Sequence, residues 1–196
     1  MVQIRVLDTK LGYNQEKFDK IYKLHKKFLN DEKGGRKADF KEATLVNINM
    51  NNCDLRGVNF DAADMRYITA INADFRYSSF NCSEMSNSCL INANFDCSCM
   101  NSITLDNSYM RNVSIVSVED AENSSFLDAN LYNSRIINSN FTDSFFINTN
   151  LENVEFINCN VKNVDFSGAE TENTNFDGSN IEEAYEDLED NDDEEE

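Results

Sequence analysis

An apolar residue returns at every fifth position of this chain, and that period excludes both ordinary secondary structures. The series runs Phe40, Leu45, Met50, Leu55, Phe60, Met65, Ala70, Phe75, Phe80 and on in fives to Ile115. It slips by one residue and resumes at Phe126, Leu131, Ile136, Phe141, Phe146 through to Ile181. A helix would repeat at 3.6 residues and a strand at 2. Two residues before each of these central positions stands a small or β-branched residue, as in Ala38, Ala43, Ile48, Cys53 and Val58. Two inward residues separated by an outward one make a short extended piece, and the remaining two must turn the chain. At Ala70 the central residue is small and its neighbour Ile68 is large, a swap at nearly constant volume of the kind a packed core tolerates.

The second residue after the centre is Asn123, Asp128, Asn133, Asn138, Asp143, Asn148, Asn153 and Gly168 in the later part of the chain. These types accept the positive φ that a type II turn needs at its third residue. Tyr67, Tyr77, Cys82 and Cys97 hold that position earlier, which predicts a different turn in the first half. Four corners close a square coil of about 20 residues, and coils stack at about 4.8 Å by β-type hydrogen bonds. The absence of Pro agrees with a backbone whose N–H groups all serve the stack. If Ala121 is also central, one ladder joins Phe40, Phe60, Phe80, Met100, Ala121, Phe141, Val161 and Ile181. Another joins Leu55, Phe75, Phe95, Ile115, Ile136, Phe156 and Phe176. The rod then has about seven coils and a length on the order of 34 Å.

The stretches Ala63-Asp64-Met65-Arg66-Tyr67, Ala73-Asp74-Phe75-Arg76-Tyr77, Ala93-Asn94-Phe95-Asp96-Cys97 and Ala129-Asn130-Leu131-Tyr132-Asn133 fit the pattern A(D/N)LXX. The chain thereby resembles the pentapeptide-repeat family over about residues 38–181. The resemblance implies an all-β fold, a right-handed quadrilateral β-helix. It also implies dimerisation through C-terminal coils and helices, as in several members. Some members mimic duplex DNA and bind bacterial DNA gyrase or topoisomerase IV, inhibiting these enzymes or protecting them from quinolones. Quinolone-protecting members insert projecting loops between repeats, and this sequence lacks them. The domain organisation expected is a cap at 1–37 (strand plus helix), the pentapeptide-repeat β-helix at 38–181, and a short helix with an acidic disordered tail at 182–196.

The ends of a stacked β-coil expose unpaired backbone and need cover. Phe18, Ile21, Tyr22, His25, Phe28 and Leu29 recur at helical spacing behind a capping Asn14, so residues 14–31 predict a capping helix. Val2, Ile4 and Val6 alternate as a strand would. Ile181, Ala184, Tyr185 and Leu188 place an apolar stripe on a short C-terminal helix.

Charge divides the chain further. Residues 1–41 hold 11 basic and 6 acidic side chains, residues 42–196 hold 6 and 30, and the whole carries a formal −19. Direct binding of nucleic acid or an anionic membrane is disfavoured, because both need Lys and Arg to meet phosphate. The N-terminus is too polar for a secretory signal, and six Cys without framework or metal-ligand spacing suit a reducing cytoplasm. His25, the only His, lies on the apolar stripe and reads as a packed residue rather than a catalytic base. No phosphate loop or nucleophile signature is present, so the expectation is a protein without catalytic residues, metal or cofactor.

What remains is surface. Asp54/Arg56, Asp64/Arg66 and Asp74/Arg76 look self-paired, whereas Asp106, Glu119, Asp120, Glu122, Asp128, Asp143 and Asp165 leave the middle of the rod less compensated. Along 42–181 the net charge is roughly one per 2.6 Å of rod, against one per about 1.7 Å for duplex DNA. These acids are the candidate duplex-like surface. Outward apolar residues concentrate after the slip, at Val116, Leu127, Ile137, Phe145, Ile147 and Ile157, and with Tyr185 and Leu188 they form the candidate dimer or partner interface. The partners expected are a second copy of the chain and DNA gyrase or topoisomerase IV. The alternative is a protein–protein scaffold without DNA mimicry.

Overall fold

The computed structural model describes residues 12–184. It shows a square β-solenoid in which isolated parallel bridges join residues 20 apart, or 21 apart across the slip as in Cys99↔Asp120, from Asp39↔Asn59 to Glu155↔Asn175. Each five-residue unit spends its backbone the same way. The central N–H donates to the coil above (Phe60 N to the Ser79 carbonyl, 2.7 Å), and the preceding N–H donates to the coil below (Asp64 N to the Ala43 carbonyl, 2.9 Å). The corner closes through Ala63 N to the Phe60 carbonyl, 2.9 Å. The N–H after the centre is met by a side chain, as where Arg56 N donates to Asp54 Oδ1 and Asp61 N to Asn59 Oδ1. That bond is the physical reason an Asp or Asn recurs before the central residue.

The different turn expected in the first half is not found. Tyr67, Tyr77, Cys82 and Cys97 adopt φ of +60°, +61°, +57° and +58°, like Asn133 at +58°. Each of these residues also donates its N–H to the next coil, as Tyr77 does to the Asp96 carbonyl at 3.1 Å. The stack fixes the corner, and the cost of left-handed backbone for a non-glycine residue, about 1–2 kcal/mol, is accepted there.

Central residues fill the interior in ladders. Phe40, Phe60 and Phe80 stack at centroid distances of 5.5 and 5.1 Å, and Phe126, Phe146 and Phe166 at 4.5 and 5.5 Å. Ala121 is fully buried on the Phe40 ladder. Met100 N reaches the Asp120 carbonyl at 2.6 Å, so Glu119 is the inserted residue at the slip. Where the position two before the centre is Ser, its hydroxyl is mostly satisfied by backbone, as where Ser108 Oγ donates to the Met85 carbonyl at 3.1 Å and accepts from Ser88 N at 3.2 Å, whereas the buried Ser83 and Ser98 hydroxyls have no partner.

Helix α1 (Gln15–Leu29) closes the first coil. Phe18 is buried and stacks on Phe40 at 5.6 Å. Gln15 accepts from Asn49 N at 2.8 Å and donates to the Asn49 carbonyl at 2.9 Å, and the Tyr22 hydroxyl accepts from Asp54 N at 2.9 Å. The cap thus supplies bonds that a preceding coil would make. Phe28, expected on the apolar stripe, is instead exposed and stacks beside His25 at 6.0 Å. The expected strand at Val2–Val6 lies outside the described residues. At the other end Ile181–Glu183 form a single 3₁₀ turn, and Tyr185 and Leu188 lie outside the described residues.

Candidate functional site

Side chains that leave the rod do so in columns of period 20, so each face and corner has its own chemistry. The four faces are taken in chain order, starting from that of Phe40, and each corner follows its face. On the fourth face Asp54 accepts from Arg56 Nε at 2.8 Å and Nη2 at 2.7 Å, and Asp74 is clamped likewise by Arg76 at 2.9 and 2.7 Å. On the second face Arg66 holds Asp64 at 2.9 and 2.8 Å. The Arg56 guanidinium holds the Asp54 carboxyl below its usual range, and Arg66 does the same for Asp64. Such part-exposed pairs contribute little stability, about 0–1 kcal/mol. Their main effect is to neutralise the N-terminal coils.

Beyond the slip the acids are arranged differently. Glu119, Asp120, Glu122, Asp128 and Asp143 are exposed. None of them is in an ion pair with Lys or Arg among the described residues. Glu119, Asp120, Glu122 and Asp143 gather on the first face and its two flanking corners. The thiol of Cys99, on the same face, is pushed up by burial first and then by Asp120, Asp61 and Glu119. Asp128 stands on the second corner.

Asp106 and Asp165 are not free as expected. Asp106 Oδ1 accepts from Ser125 Oγ at 2.5 Å and from Leu127 N at 3.0 Å, and Asp165 Oδ1 accepts from Ser167 N at 2.9 Å. Both are half-buried; Asp106 ties one coil to the next, whereas Asp165 bonds within its own five-residue unit. Sequence reading missed this role because it counted acids as charges and not as acceptors for the otherwise idle corner N–H.

The apolar residues form two ridges rather than one patch. Val116, Ile137 and Ile157 lie in register in the parallel sheet of β1 (Ser114–Val116), β2 (Arg135–Ile137) and β3 (Glu155–Ile157), at the fourth corner. Leu127 and Ile147 lie at the opposite, second corner beside Phe145, which is 45% exposed. A flat twofold contact therefore covers one ridge or the other. Exposed Tyr67, Tyr77 and Tyr109 add aromatic surface that the apolar pattern did not single out.

Among the described residues no cluster of His, Cys, Asp or Glu is arranged to hold a metal, and no helix is long and apolar enough to cross a membrane.

Two family models match the sequence: Pentapeptide repeats (8 copies) over residues 36–67, and Pentapeptide repeat region over residues 120–185. No curated protein matches the chain. Among solved structures it is similar to HetL, a pentapeptide repeat protein involved in heterocyst differentiation regulation from the cyanobacterium Nostoc sp. strain PCC 7120. That likeness has a TM-score of 0.54 at 16% identity, over 76% of this chain and 72% of HetL. A second match is trypsin-treated QnrB1, a plasmid-mediated fluoroquinolone resistance protein, with a TM-score of 0.47 at 17% identity over 74% of this chain and 75% of that one. The coil is accordingly a right-handed quadrilateral β-helix.

Proposed function

This chain belongs to the pentapeptide-repeat family, and from that premise we propose that its rod is a non-enzymatic binding module presenting an acidic surface to a DNA-binding protein. A type II topoisomerase, DNA gyrase or topoisomerase IV, is the first candidate. The observation that carries this reading is the contrast between coils. Asp54, Asp64 and Asp74 of the N-terminal half are clamped by Arg56, Arg66 and Arg76, while Glu119, Asp120, Glu122 and Asp143 stand exposed around one face without a cationic partner. A stiff rod with fixed, uncompensated acids can enter a basic groove shaped for a duplex, and it does so without a flexible segment having to order. The acids of the repeats act as one surface only because hydrogen-bonded coils hold them at fixed spacing.

The test is a gyrase supercoiling assay with full-length protein and DNA titrated against each other at several salt concentrations. Inhibition that DNA relieves and that fades as salt rises is expected. The Glu119→Lys/Asp120→Lys pair should weaken it about tenfold or more. These two positions suit the test because neither side chain is spent on the stack, unlike Asp106. Unchanged supercoiling at a large excess of protein refutes the topoisomerase candidate.

The second reading, a scaffold that binds another protein through an apolar ridge, is favoured by the register of Val116, Ile137 and Ile157. It accompanies a proposed homodimer formed by the C-terminal half. Ile137→Asp would place a charge in the middle of that ridge. Light scattering is expected to give a dimer for the wild type and a monomer for Ile137→Asp. A wild-type monomer at micromolar concentration removes the dimer.

A further inference from the structure

The Asn residues that turn the corners do not all end in the same state. At the third corner Asn52, Asn72, Asn92, Asn112 and Asn133 form a closed ladder, each amide donating to the one below at 3.1, 2.9, 3.1 and 2.8 Å. At the second corner Asn87, Asn107 and Asn148 make no such bond, and Asp128 interrupts their column with a group that cannot donate when ionised. Their amides face a groove of about 700 Å³, within the size range of small-ligand sites.

The opposite wall of that groove carries Tyr109, 60% exposed, and ends at Glu170, whose carboxylate is held by Asn150 Nδ2 at 2.6 Å. Between the walls the inward-pointing Ser108 and Ala129 leave the floor low. Next in the corner column after Asn148 stands Gly168, where a Cβ would collide with Asn148 Oδ1. The groove runs along the rod for about 15–20 Å at about 4.8 Å per coil.

The geometry points to a binding site for an extended oligosaccharide, neutral or amino-bearing. Each coil offers a planar amide or carboxylate able to bond a hydroxyl. The spacing from coil to coil is comparable to one hexose in an extended β-linked chain. Tyr109 presents an aromatic face whose burial is favourable and whose polar tip stays wet. Asp128 and Glu170, with no Lys or Arg among the lining residues, exclude phosphates and uronic acids and favour an amino sugar. Unpaired amides and an exposed ring are what an apolar or strongly charged ligand would waste, because hydrogen-bonding groups confer affinity only when matched.

The experiment is isothermal titration of full-length protein with four probes: the β-1,4-linked N-acetylglucosamine pentamer, its deacetylated amino form, a pentameric galacturonate and a pentalysine peptide. Saturable binding of both glucosamine pentamers is expected, tighter for the amino form, with none for galacturonate. Tyr109→Ala should weaken binding about tenfold, and Asp128→Asn should remove the preference for the amino form. Far-UV circular dichroism checks that each variant is folded. If Tyr109→Ala does not fold, Asn107→Ala on the facing wall carries the same expectation. The proposal is overturned if neither glucosamine pentamer binds, if the folded wall variants bind as the wild type does, or if pentalysine binds as tightly as the amino pentamer, which would make the groove a general cation surface.

Discussion

Phe80→Ala is expected to lower stability by about 3–5 kcal/mol, the range for deleting a fully buried aromatic side chain. Phe80 has no exposed surface; its ring lies 5.1 Å from Phe60 at 6° and edge-on to Phe75 and Phe95 at 5.3 and 5.6 Å. A globular core relieves such a loss by collapsing inward. Here the coil walls are held apart by inter-coil hydrogen bonds, among them Phe80 N to the Cys99 carbonyl at 2.8 Å, so the cavity persists. Each coil touches only its neighbours, and the defect also weakens coupling between the two halves of the rod. Phe80→Leu, which keeps most of the volume, should cost only about 1 kcal/mol. Urea denaturation followed by circular dichroism measures both. A loss below about 1 kcal/mol for Phe80→Ala would mean that the coil does collapse.

The second large effect is a loss of stability on mild acidification, traced to His25. The side chain is completely buried, Nδ1 accepts from Ala38 N at 3.3 Å, and Nε2 has no partner. Burial lowers its pKa first. Asp54 and the Arg56 backbone pull the other way, and Lys37 and the Arg56 charge reinforce the lowering. In the unfolded chain the imidazole titrates near its ordinary value, about 6.5. Above that pH neither state binds the proton, and the stability due to neutral His25 is fully present. As pH falls below about 6.5 the unfolded chain takes up a proton that the folded one refuses. Stability then falls with a slope approaching about 1.4 kcal/mol per pH unit until the folded-state pKa is reached.

His25→Asn retains an acceptor for Ala38 N and does not titrate. The expected result is that melting temperatures of wild type and His25→Asn diverge between pH 7.5 and 5.5, the wild type falling faster. Parallel curves would show that His25 accepts its proton within the fold. The consequence concerns the cap, because His25 and Phe18 are the two fully buried side chains of α1. Protonation therefore loosens the element that covers the first coil.

The acids show where a residue-by-residue reading was sufficient and where it was not. The Arg clamps on Asp54, Asp64 and Asp74 were legible, because an Asp two residues before an Arg in an extended unit places both on the same outer surface. Asp106 stands one residue after its centre and Asp128 two, at the corner; both read as uncompensated charges, yet the Asp106 carboxylate is engaged by Ser125 and Leu127 from the next coil. That difference depends on what stands about 20 residues away, and local pattern does not weigh such partners. The corner amides behave alike: Asn92 and Asn107 read as the same turn residue, but only Asn92 has an Asn above and below to bond.

The chain's own periodicity determined that it would be a square coil, which residues would point inward, that Ala121 would continue the Phe40 ladder past one inserted residue, and that a helix would close the first coil. All of these follow from local chemistry repeated at a fixed interval: side-chain size, φ preference and helical spacing. Tertiary structure alone decided the corner geometry at Tyr67, Tyr77, Cys82 and Cys97, because hydrogen bonds to the neighbouring coil outweigh the intrinsic preference of the turn residue. It alone separated the two apolar ridges onto opposite corners, turned Phe28 outward, and left the amides of Asn87, Asn107 and Asn148 facing a groove. Those outcomes are set by which column each residue joins and what occupies the same column one coil away, a relation that exists only once the coils are stacked.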